Sequence, residues 1–407
     1  MKKIVLIISI ISFSVVLSSC LFEEKDIFDK SASERLTQSV KDNLANLQTA
    51  SNGWVMQYFP TVGTAGYPLI VKFDANSQCT IAGKNSITGN TTATSMYSIK
   101  TNEGTVLTFD TYNPVIHVFA DPSKSPLGYG YEGDFEFTIM SATPDIVRMK
   151  GKKRGVDIYL NKLPQDQAWP AYFDAVDKFD AQVFQGATNQ LVLVDSDKQY
   201  TASGASSHIM TINGNLYGFV VKPDGIHLQR SAEELSAKTM DFKISADNSR
   251  LVSTDNANIY FTGENIYTAF VNSQQANKQW IVAINDSLGA TAKNLIDAVR
   301  SSLTALGYTL QQISYRYVNG KFAVSIRTAS TTVGDFYYDT EITEKSVKYV
   351  YTGSSAQGGN MLNAFPVIND LIHALETSFT LVPDNGLKYK KIKLTSNSDA
   401  GLWFYIQ

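Results

Sequence analysis

Short segments in which apolar and polar residues alternate dominate residues 54–163. Clear examples are residues 69–73, 95–99 and 106–109, and Gly, Asn, Asp and Pro separate them. Successive side chains of a strand point to opposite faces, so this period of two is typical of strands with one buried face. Frequent turn residues between such short strands predict an antiparallel β sandwich or barrel for this region.

An amphipathic helix is predicted immediately before this β region, over residues 31–50. Ser31 and Glu34 have the spacing of a capping box. Apolar residues recur at helical intervals at Leu36, Val40, Leu44 and Leu47. We expect this apolar stripe to pack on the β domain, so that helix and strands form one N-terminal domain over residues 31–163.

The remaining sequence predicts a mainly β protein whose C-terminal part is α+β. Residues 164–189, rich in acidic and aromatic side chains, are interpreted as a helical linker. A second β-rich region is predicted over 190–265 and an α+β domain over 266–407. A helix followed by strands recurs at residues 31, 290 and 361, which suggests a repeated unit, although no identity between residues supports it.

The N-terminus has the three parts of an export signal. Lys2 and Lys3 precede an apolar run over residues 4–16, which is too short for a stable membrane anchor. The next four residues, Leu17-Ser18-Ser19-Cys20, resemble the lipobox of bacterial lipoproteins. The resemblance implies that residues 1–19 are a signal peptide and that Cys20 is acylated. An ordinary secretory signal with a chance cysteine is the alternative.

An acidic segment follows the lipobox within a few residues. Residues 21–26 read Leu-Phe-Glu-Glu-Lys-Asp, which resembles the surface-export signal of Bacteroidota lipoproteins. Residues 20–30 are therefore interpreted as an acylated tether that holds the protein at the outer membrane, on the cell surface. A solvated tether without an address is the alternative, and it would leave the protein on the periplasmic face.

Composition excludes several classes of function. The chain has 38 acidic against 35 basic residues, so it lacks the cationic surface that nucleic acid requires. Once Cys20 is acylated, Cys79 is the only thiol, so neither a disulfide nor a Cys-based zinc site is expected. The histidines show no metal-ligand spacing and Gly-x-Ser-x-Gly is missing. We therefore expect no metal, no cofactor and no catalytic residue of a known type.

Four segments together resemble a family of Bacteroidota lipoproteins that has no assigned function. They are residues 28–35 (FDKSASER), 53–60 (GWVMQYFP), 107–113 (LTFDTYN) with His117, and 132–137 (EGDFEF). Members of that family are often encoded near outer-membrane uptake pairs of the starch-utilisation type. The resemblance implies a nutrient-handling setting at the cell surface, with an uptake complex as a partner, and it supplies no catalytic residue.

A glycine-rich loop over residues 128–133 matches the dinucleotide-binding pattern Gly-x-Gly-x-x-Gly. That pattern binds a pyrophosphate only where a strand leads into a helix, and here a strand is predicted to follow. The loop is instead interpreted as a support for exposed aromatic rings, which can stack on sugars or peptides. The candidate ligand-binding residues are Tyr112, Asn113, His117, Tyr129 and Tyr131, with half-buried residues at the rim of a β domain as the alternative.

Acidic residues near this loop form a second candidate site. Glu132, Asp134 and Glu136 alternate with other residues, so in a strand their carboxylates would share one face. Together with Asp110 they could serve glycoside hydrolysis or hold calcium. The alternative is a solvated outer face. A hairpin is predicted next, from 146 to 160, with a solvated basic tip at Lys150, Lys152, Lys153 and Arg154.

These patterns favour a non-enzymatic accessory lipoprotein that binds a glycan, a peptide or a partner in an uptake complex. The hypothesis depends on the lipobox, the aromatic loops and the lack of a catalytic motif. A surface hydrolase that uses Asp110, Asp134 or Glu136 as acid and base is the first alternative. A structural or adhesive surface protein is the second.

Overall fold

The described residues form three consecutive units, and in each unit a helix precedes eight antiparallel strands that pair in sequential order. The computed structural model describes residues 30–124, 128–185, 190–229, 240–328 and 332–407. The first two units are closed eight-stranded barrels, and the third is an eight-stranded sheet with additional helices. The predicted fold class, mainly β with an α+β C-terminal part and a barrel-like N-terminal region, is confirmed.

The first unit begins with helix α1, Ala32–Gln48. Its capping box is formed, since the Glu34 amide donates to Ser31 Oγ and the Ser31 amide donates to the Glu34 carboxylate. The last strand of the barrel pairs with the first and places Trp54 opposite Lys162. The strands are β1 Trp54–Tyr58, β2 Tyr67–Phe73, β3 Gln78–Asn85, β4 Gly89–Thr101, β5 Thr105–Phe109, β6 Glu136–Ala142, β7 Ile146–Gly151 and β8 Asp157–Lys162.

Both ends of this barrel are covered. Helix α1 lies across one end, where Asn43 donates to Thr105 Oγ1 at 2.9 Å, Asn46 to the Thr143 carbonyl at 2.9 Å and Gln48 to the Asp74 carbonyl at 2.9 Å. The opposite end is filled by the long loop between β5 and β6, whose apolar side chains lie in the barrel core at Val115, Ile116, Val118 and Phe119. The interior is therefore a packed core.

The second unit begins with helix α2, Trp169–Val183. This helix lies in the segment that composition indicates as a linker, and its apolar side chains, among them Tyr172 and Phe179, belong to the core of the second barrel. The barrel closes because its last strand pairs with its first. The strands are β9 Leu191–Asp195, β10 Lys198–Ser203, β11 Ile209–Ile212, β12 Asn215–Lys222, β13 Gly225–Leu228, β14 Asp241–Ile244, β15 Arg250–Ser253 and β16 Ile259–Gly263.

The third unit begins with helix α3, Ile266–Gln275. Its sheet curls round, and Ile281 exchanges two backbone hydrogen bonds with Gln407 at 2.9 and 3.0 Å. The strands are β17 Trp280–Ile281, β18 Gln312–Val318, β19 Lys321–Arg327, β20 Val333–Ile342, β21 Val347–Ser354, β22 Ser378–Pro383, β23 Ile392–Ser396 and β24 Trp403–Ile406. Three further helices are inserted between strands, namely α4 Ala290–Ala305, α5 Ala356–Ala364 and α6 Val367–Ala374.

The repeat suggested by the sequence exists, but its predicted starting points at 290 and 361 are wrong. Helices α1, α2 and α3 precede the three sheets, whereas α4 interrupts the connection from β17 to β18, and α5 and α6 that from β21 to β22. The helical pattern of an inserted helix is the same as that of a helix that begins a unit. Position in the repeat is therefore decided by strand pairing.

The units are in close contact with one another. Strand β2 packs on β12, and the Gly66 amide donates to the Phe219 carbonyl at 3.2 Å. A Cβ at Gly66 would overlap Val220, so the approach requires glycine. On the other side of the second barrel, Leu387 from the β22–β23 loop is fully buried in that barrel's core.

The described helices include none that is long and apolar enough to cross a bilayer. The predicted signal peptide over 1–19, Cys20 and the acidic tether up to residue 29 lie outside the described residues.

Candidate functional site

The β5–β6 loop carries all five predicted ligand-binding residues, and Asn113 organises it. Asn113 is fully buried. Its Nδ2 donates to the Ala93 carbonyl at 3.2 Å and to Ser95 Oγ at 3.1 Å, and its Oδ1 accepts from the Val115 amide at 3.0 Å. Its amide group is thus used inside the molecule, where it fixes the loop against β4.

Three aromatic rings contact one another in series, at tilted angles, on the outside of this loop. The Tyr112 and His117 ring centroids lie 5.5 Å apart at an interplanar angle of 34°, and those of His117 and Phe135 lie 4.7 Å apart at 31°. Tyr112 is 61% exposed and Phe135 is 36% exposed. We refer to Tyr112, His117 and Phe135 as the aromatic ladder.

The middle ring of the ladder is held in one orientation. The Asn113 amide donates to His117 Nδ1 at 3.1 Å, so this nitrogen is an unprotonated acceptor. Burial lowers the pKa of His117. The ring is therefore neutral at neutral pH, and the aromatic ladder carries no charge.

Beside the ladder lie one apolar side chain and one ion pair. Met96 is 38% exposed, and it is tied to the start of the loop because its amide donates to Thr111 Oγ1 at 2.8 Å and its carbonyl accepts from the Asp110 amide at 2.9 Å. The Asp110 carboxylate lies 2.7 Å from Lys100 Nζ. Asp110 is thus engaged with a lysine on β4.

The two tyrosines of the glycine-rich loop point in different directions. Tyr129 is exposed, whereas Tyr131 is half-buried with its ring 6.2 Å from that of Phe119. Residues 128–135 run beside the 3-10 helix His117–Phe119, and the Gly133 amide donates to the Phe119 carbonyl at 2.9 Å. The two predicted segments therefore meet, and among the predicted residues His117 contacts both Tyr112 and Asn113. Residues 125–127 lie outside the described residues.

The predicted shared face of Glu132, Asp134 and Glu136 is not formed. Strand β6 begins only at Glu136, and Glu132 has a φ of 60°, which turns the chain and breaks the alternation. The Asp134 carboxylate accepts from the Arg154 amide at 2.8 Å and from the Lys153 amide at 3.2 Å, and Glu132 forms an ion pair with the Arg154 side chain. These two carboxylates hold the β7–β8 turn.

Burial raises the pKa of Asp134, and hydrogen bonds from the backbone of Arg154 and Lys153 oppose the increase. Within the described ranges, no three His, Cys, Asp or Glu side chains come together as a metal site. The acidic residues Asp110, Glu132 and Asp134 are engaged by partners, so the aromatic ladder is the better candidate for a binding surface.

Comparison with protein families assigns the first two units. A model described as a domain of unknown function, DUF4302, matches residues 24–246, which is more than half of the chain. The chain belongs to the DUF4302 family. The match contains α1, the whole first barrel, α2 and the strands of the second barrel up to β14.

The aromatic ladder and the acidic residues all lie within the DUF4302 match. Strands β15 and β16, which close the second barrel, lie beyond it. The match therefore ends inside a sheet, at a point where β9 still lacks one of its two neighbours.

Other comparisons add no function to the DUF4302 assignment. No curated protein matches the chain. Among solved structures, the beta subunit from the DNA polymerase of Streptococcus pyogenes aligns over 90% of this chain and 97% of that chain, at 10% identity and a TM-score of 0.14. A likeness at that level supports no conclusion about fold or function.

Proposed function

We propose that this DUF4302 protein is a lipid-anchored, non-enzymatic binding protein of the cell envelope, and that its aromatic ladder binds a glycan. The observation that carries the proposal is the row of contacting rings of Tyr112, His117 and Phe135, with its two outer rings exposed. Sugar rings have apolar faces that stack on aromatic rings, and an uncharged stack suits a neutral glycan.

The rigidity of the ladder supports binding. Its middle ring is fixed by the Asn113 amide, and Asn113 is itself fixed by hydrogen bonds to β4. A loop that is already ordered loses little conformational entropy when a ligand binds. Exposed apolar side chains grouped in one place also indicate an interaction surface, and Met96 enlarges this one.

The bound carboxylates do not favour a hydrolase. Glycoside hydrolysis requires two carboxyl groups that flank an open site. Asp134 and Glu132 hold the β7–β8 turn, and Asp110 is paired with Lys100. The proposal therefore assigns binding rather than catalysis to this end of the barrel.

The location is the second part of the proposal. The lipobox at 17–20 and the acidic segment at 21–26 support attachment to the outer membrane through Cys20, with the protein on the cell surface beside an uptake complex. Substitution of Cys20 by Ser should abolish incorporation of labelled fatty acid and release the protein from the membrane fraction. Persistence of both would refute the anchor.

Affinity electrophoresis in gels that contain soluble neutral polysaccharides tests the ladder. We expect Tyr112→Ala and Phe135→Ala each to reduce the retardation of the full-length protein in the polysaccharide that the ladder binds. Tyr308→Ala is the matched control, because Tyr308 is a comparably exposed tyrosine in the third unit. Tyr129→Ala shows whether the surface extends along the glycine-rich loop. Equal retardation of the wild type and both ladder variants would contradict the proposal.

A further inference from the structure

Two cavities lie side by side along the seam between the first and second barrels. One has a volume of about 210 Å³ and is lined by Asp157, Tyr159 and His227, among others. The other has a volume of about 310 Å³ and is lined by Gln57, Asn161 and residues of the second unit. Gln57 and Tyr159 are partners in the pairing of β1 with β8, so the two cavities adjoin across one strand pair. We call the combined space the seam groove.

One wall of the seam groove is the outer face of β1 and β8. Alternate residues of these strands, such as Met56 and Leu160, belong to the core of the first barrel. The residues between them face outward, and the groove is lined on this side by Gln57, Phe59, Asp157, Tyr159 and Asn161. Residues 55–59, which are the last four residues of β1 and the residue after it, give the wall a length of about 13 Å. The groove is thus longer than a single small ring.

The opposite wall comes from the second unit. It is formed by Lys222, Asp224, His227 and Gln229 around strands β12 and β13, and by Tyr172 of α2. The His227 ring lies 5.1 Å from that of Tyr159 and 6.2 Å from that of Phe59, centroid to centroid. Aromatic rings from both barrels therefore meet in the part of the groove near His227.

The two walls are held at a fixed separation. Gln229 joins them, since its Oε1 accepts from the Gly63 amide at 2.7 Å and its Nε2 donates to the Thr61 carbonyl at 3.0 Å. The backbone hydrogen bond from Gly66 to Phe219 lies in the same interface. A groove between clamped barrels is present before any ligand arrives.

Three of the charged side chains along the seam groove form ion pairs. Asp157 lies 3.3 Å from Arg148, Lys222 lies 2.9 Å from Asp241, and Asp224 lies 2.8 Å from Lys243. Lys162 also lines the second cavity, and outside these three pairs the described lining of the groove therefore presents a single lysine rather than a cluster of like charges that would attract an ion. The groups that can hydrogen-bond a ligand are the amides of Gln57 and Asn161, and these suit a ligand with many hydroxyl groups.

Peptides commonly bind by adding a strand to a free sheet edge. Both barrels are closed, so neither offers such an edge along the seam. We infer that the seam groove binds a short segment of a neutral oligosaccharide, with a sugar ring against Tyr159 and its hydroxyl groups on Gln57 and Asn161. The groove shares no residue with the aromatic ladder, so binding at either site can be tested, and refuted, without affecting the other.

Calorimetry with the full-length protein tests this inference. The probes are gluco-, manno- and xylo-oligosaccharides of increasing length, and the experiment uses the Tyr112→Ala background so that the ladder does not contribute. We expect affinity to rise from one sugar unit to a few units and then to stop rising, because the groove is short. Asn161→Ala and Tyr159→Ala should each weaken binding by about tenfold or more.

Matched controls are Asn369→Ala and Tyr308→Ala, both exposed in the third unit, and these should bind as the parent does. Val62→Trp adds bulk at an exposed residue of the groove mouth, so it should block binding without a change in the folded core. The inference is overturned if no oligosaccharide binds at millimolar concentration, if the groove variants bind as the controls do, or if an extended peptide binds in its place.

Discussion

The imidazole ring of His117 lies 4.7 Å from the phenyl ring of Phe135, and both residues belong to the connection between β5 and β6. The first of them begins a turn of 3-10 helix that fills the barrel end, and the second directly precedes β6. Their contact therefore joins the outward and return parts of the loop. The exposed ring of Tyr112 extends this contact to solvent, so the shape of the proposed glycan surface depends on the folded loop.

His117 makes the stability of this loop sensitive to pH. Burial lowers its pKa in the folded protein from the ordinary value of 6.5. At a pH between the folded and the unfolded pKa, the unfolded state therefore binds more protons than the folded state. The free energy of unfolding should therefore fall as pH decreases below about 6.5. Urea unfolding at several pH values should show a steeper loss for the wild type than for His117→Phe, which keeps a ring but does not titrate. Parallel losses would contradict this assignment.

Asp134 is expected to stabilise the first barrel through the β7–β8 turn. Asp134→Ala leaves the amides of Lys153 and Arg154 without their acceptor, and the variant should lose about 1–3 kcal/mol of unfolding free energy in urea. Glu136→Gln is the control, because the Glu136 side chain is not fully buried and charge removal there should cost less than about 0.5 kcal/mol. Equal effects would show that Asp134 has no special role.

Gln229 should couple the two barrels. In Gln229→Leu the Gly63 amide and the Thr61 carbonyl lose their side-chain partner, which should cost about 1–3 kcal/mol and increase proteolysis of the 59–66 loop. Gln229→Glu keeps the acceptor for Gly63 and loses the donor to Thr61, so its effect should be intermediate. Gln275→Leu, at an exposed helical position, is the matched control. The coupling is refuted if Gln229→Leu unfolds and is cleaved as the wild type is.

Leu387 should make the second barrel depend on the third unit. Its side chain is fully buried in the second barrel's core, so Leu387→Ala should lose about 2–5 kcal/mol of stability by thermal or urea unfolding. Leu306→Ala removes the same atoms from an exposed position and should change stability by less than about 0.5 kcal/mol. A small effect at Leu387 would mean that the second barrel folds without this contact.

The sequence contained part of the candidate site. Tyr112 and His117 are predicted ligand residues that do meet, but Phe135 and Met96 are missing from the prediction. Phe135 and the core residue Phe137 are two positions apart, so in a continuous strand both side chains would face the barrel interior. The positive φ of Glu132 and the late start of β6 at Glu136 redirect Phe135 to the surface. A local pattern contains no sign of that bend.

The amino-acid sequence by itself determined where strands and α1 form and which strand faces are apolar, because these properties depend on side chains a few residues apart. Only the tertiary structure decided that eight strands close into a barrel, that the carboxylates of Glu132 and Asp134 hold a turn, and that the seam groove exists. Each of these depends on contacts between residues far apart in the chain, such as Gln57 with Tyr159 or Asp134 with Arg154. Short-range periodicity carries no information about such contacts, since register and packing are chosen by the free energy of the whole fold.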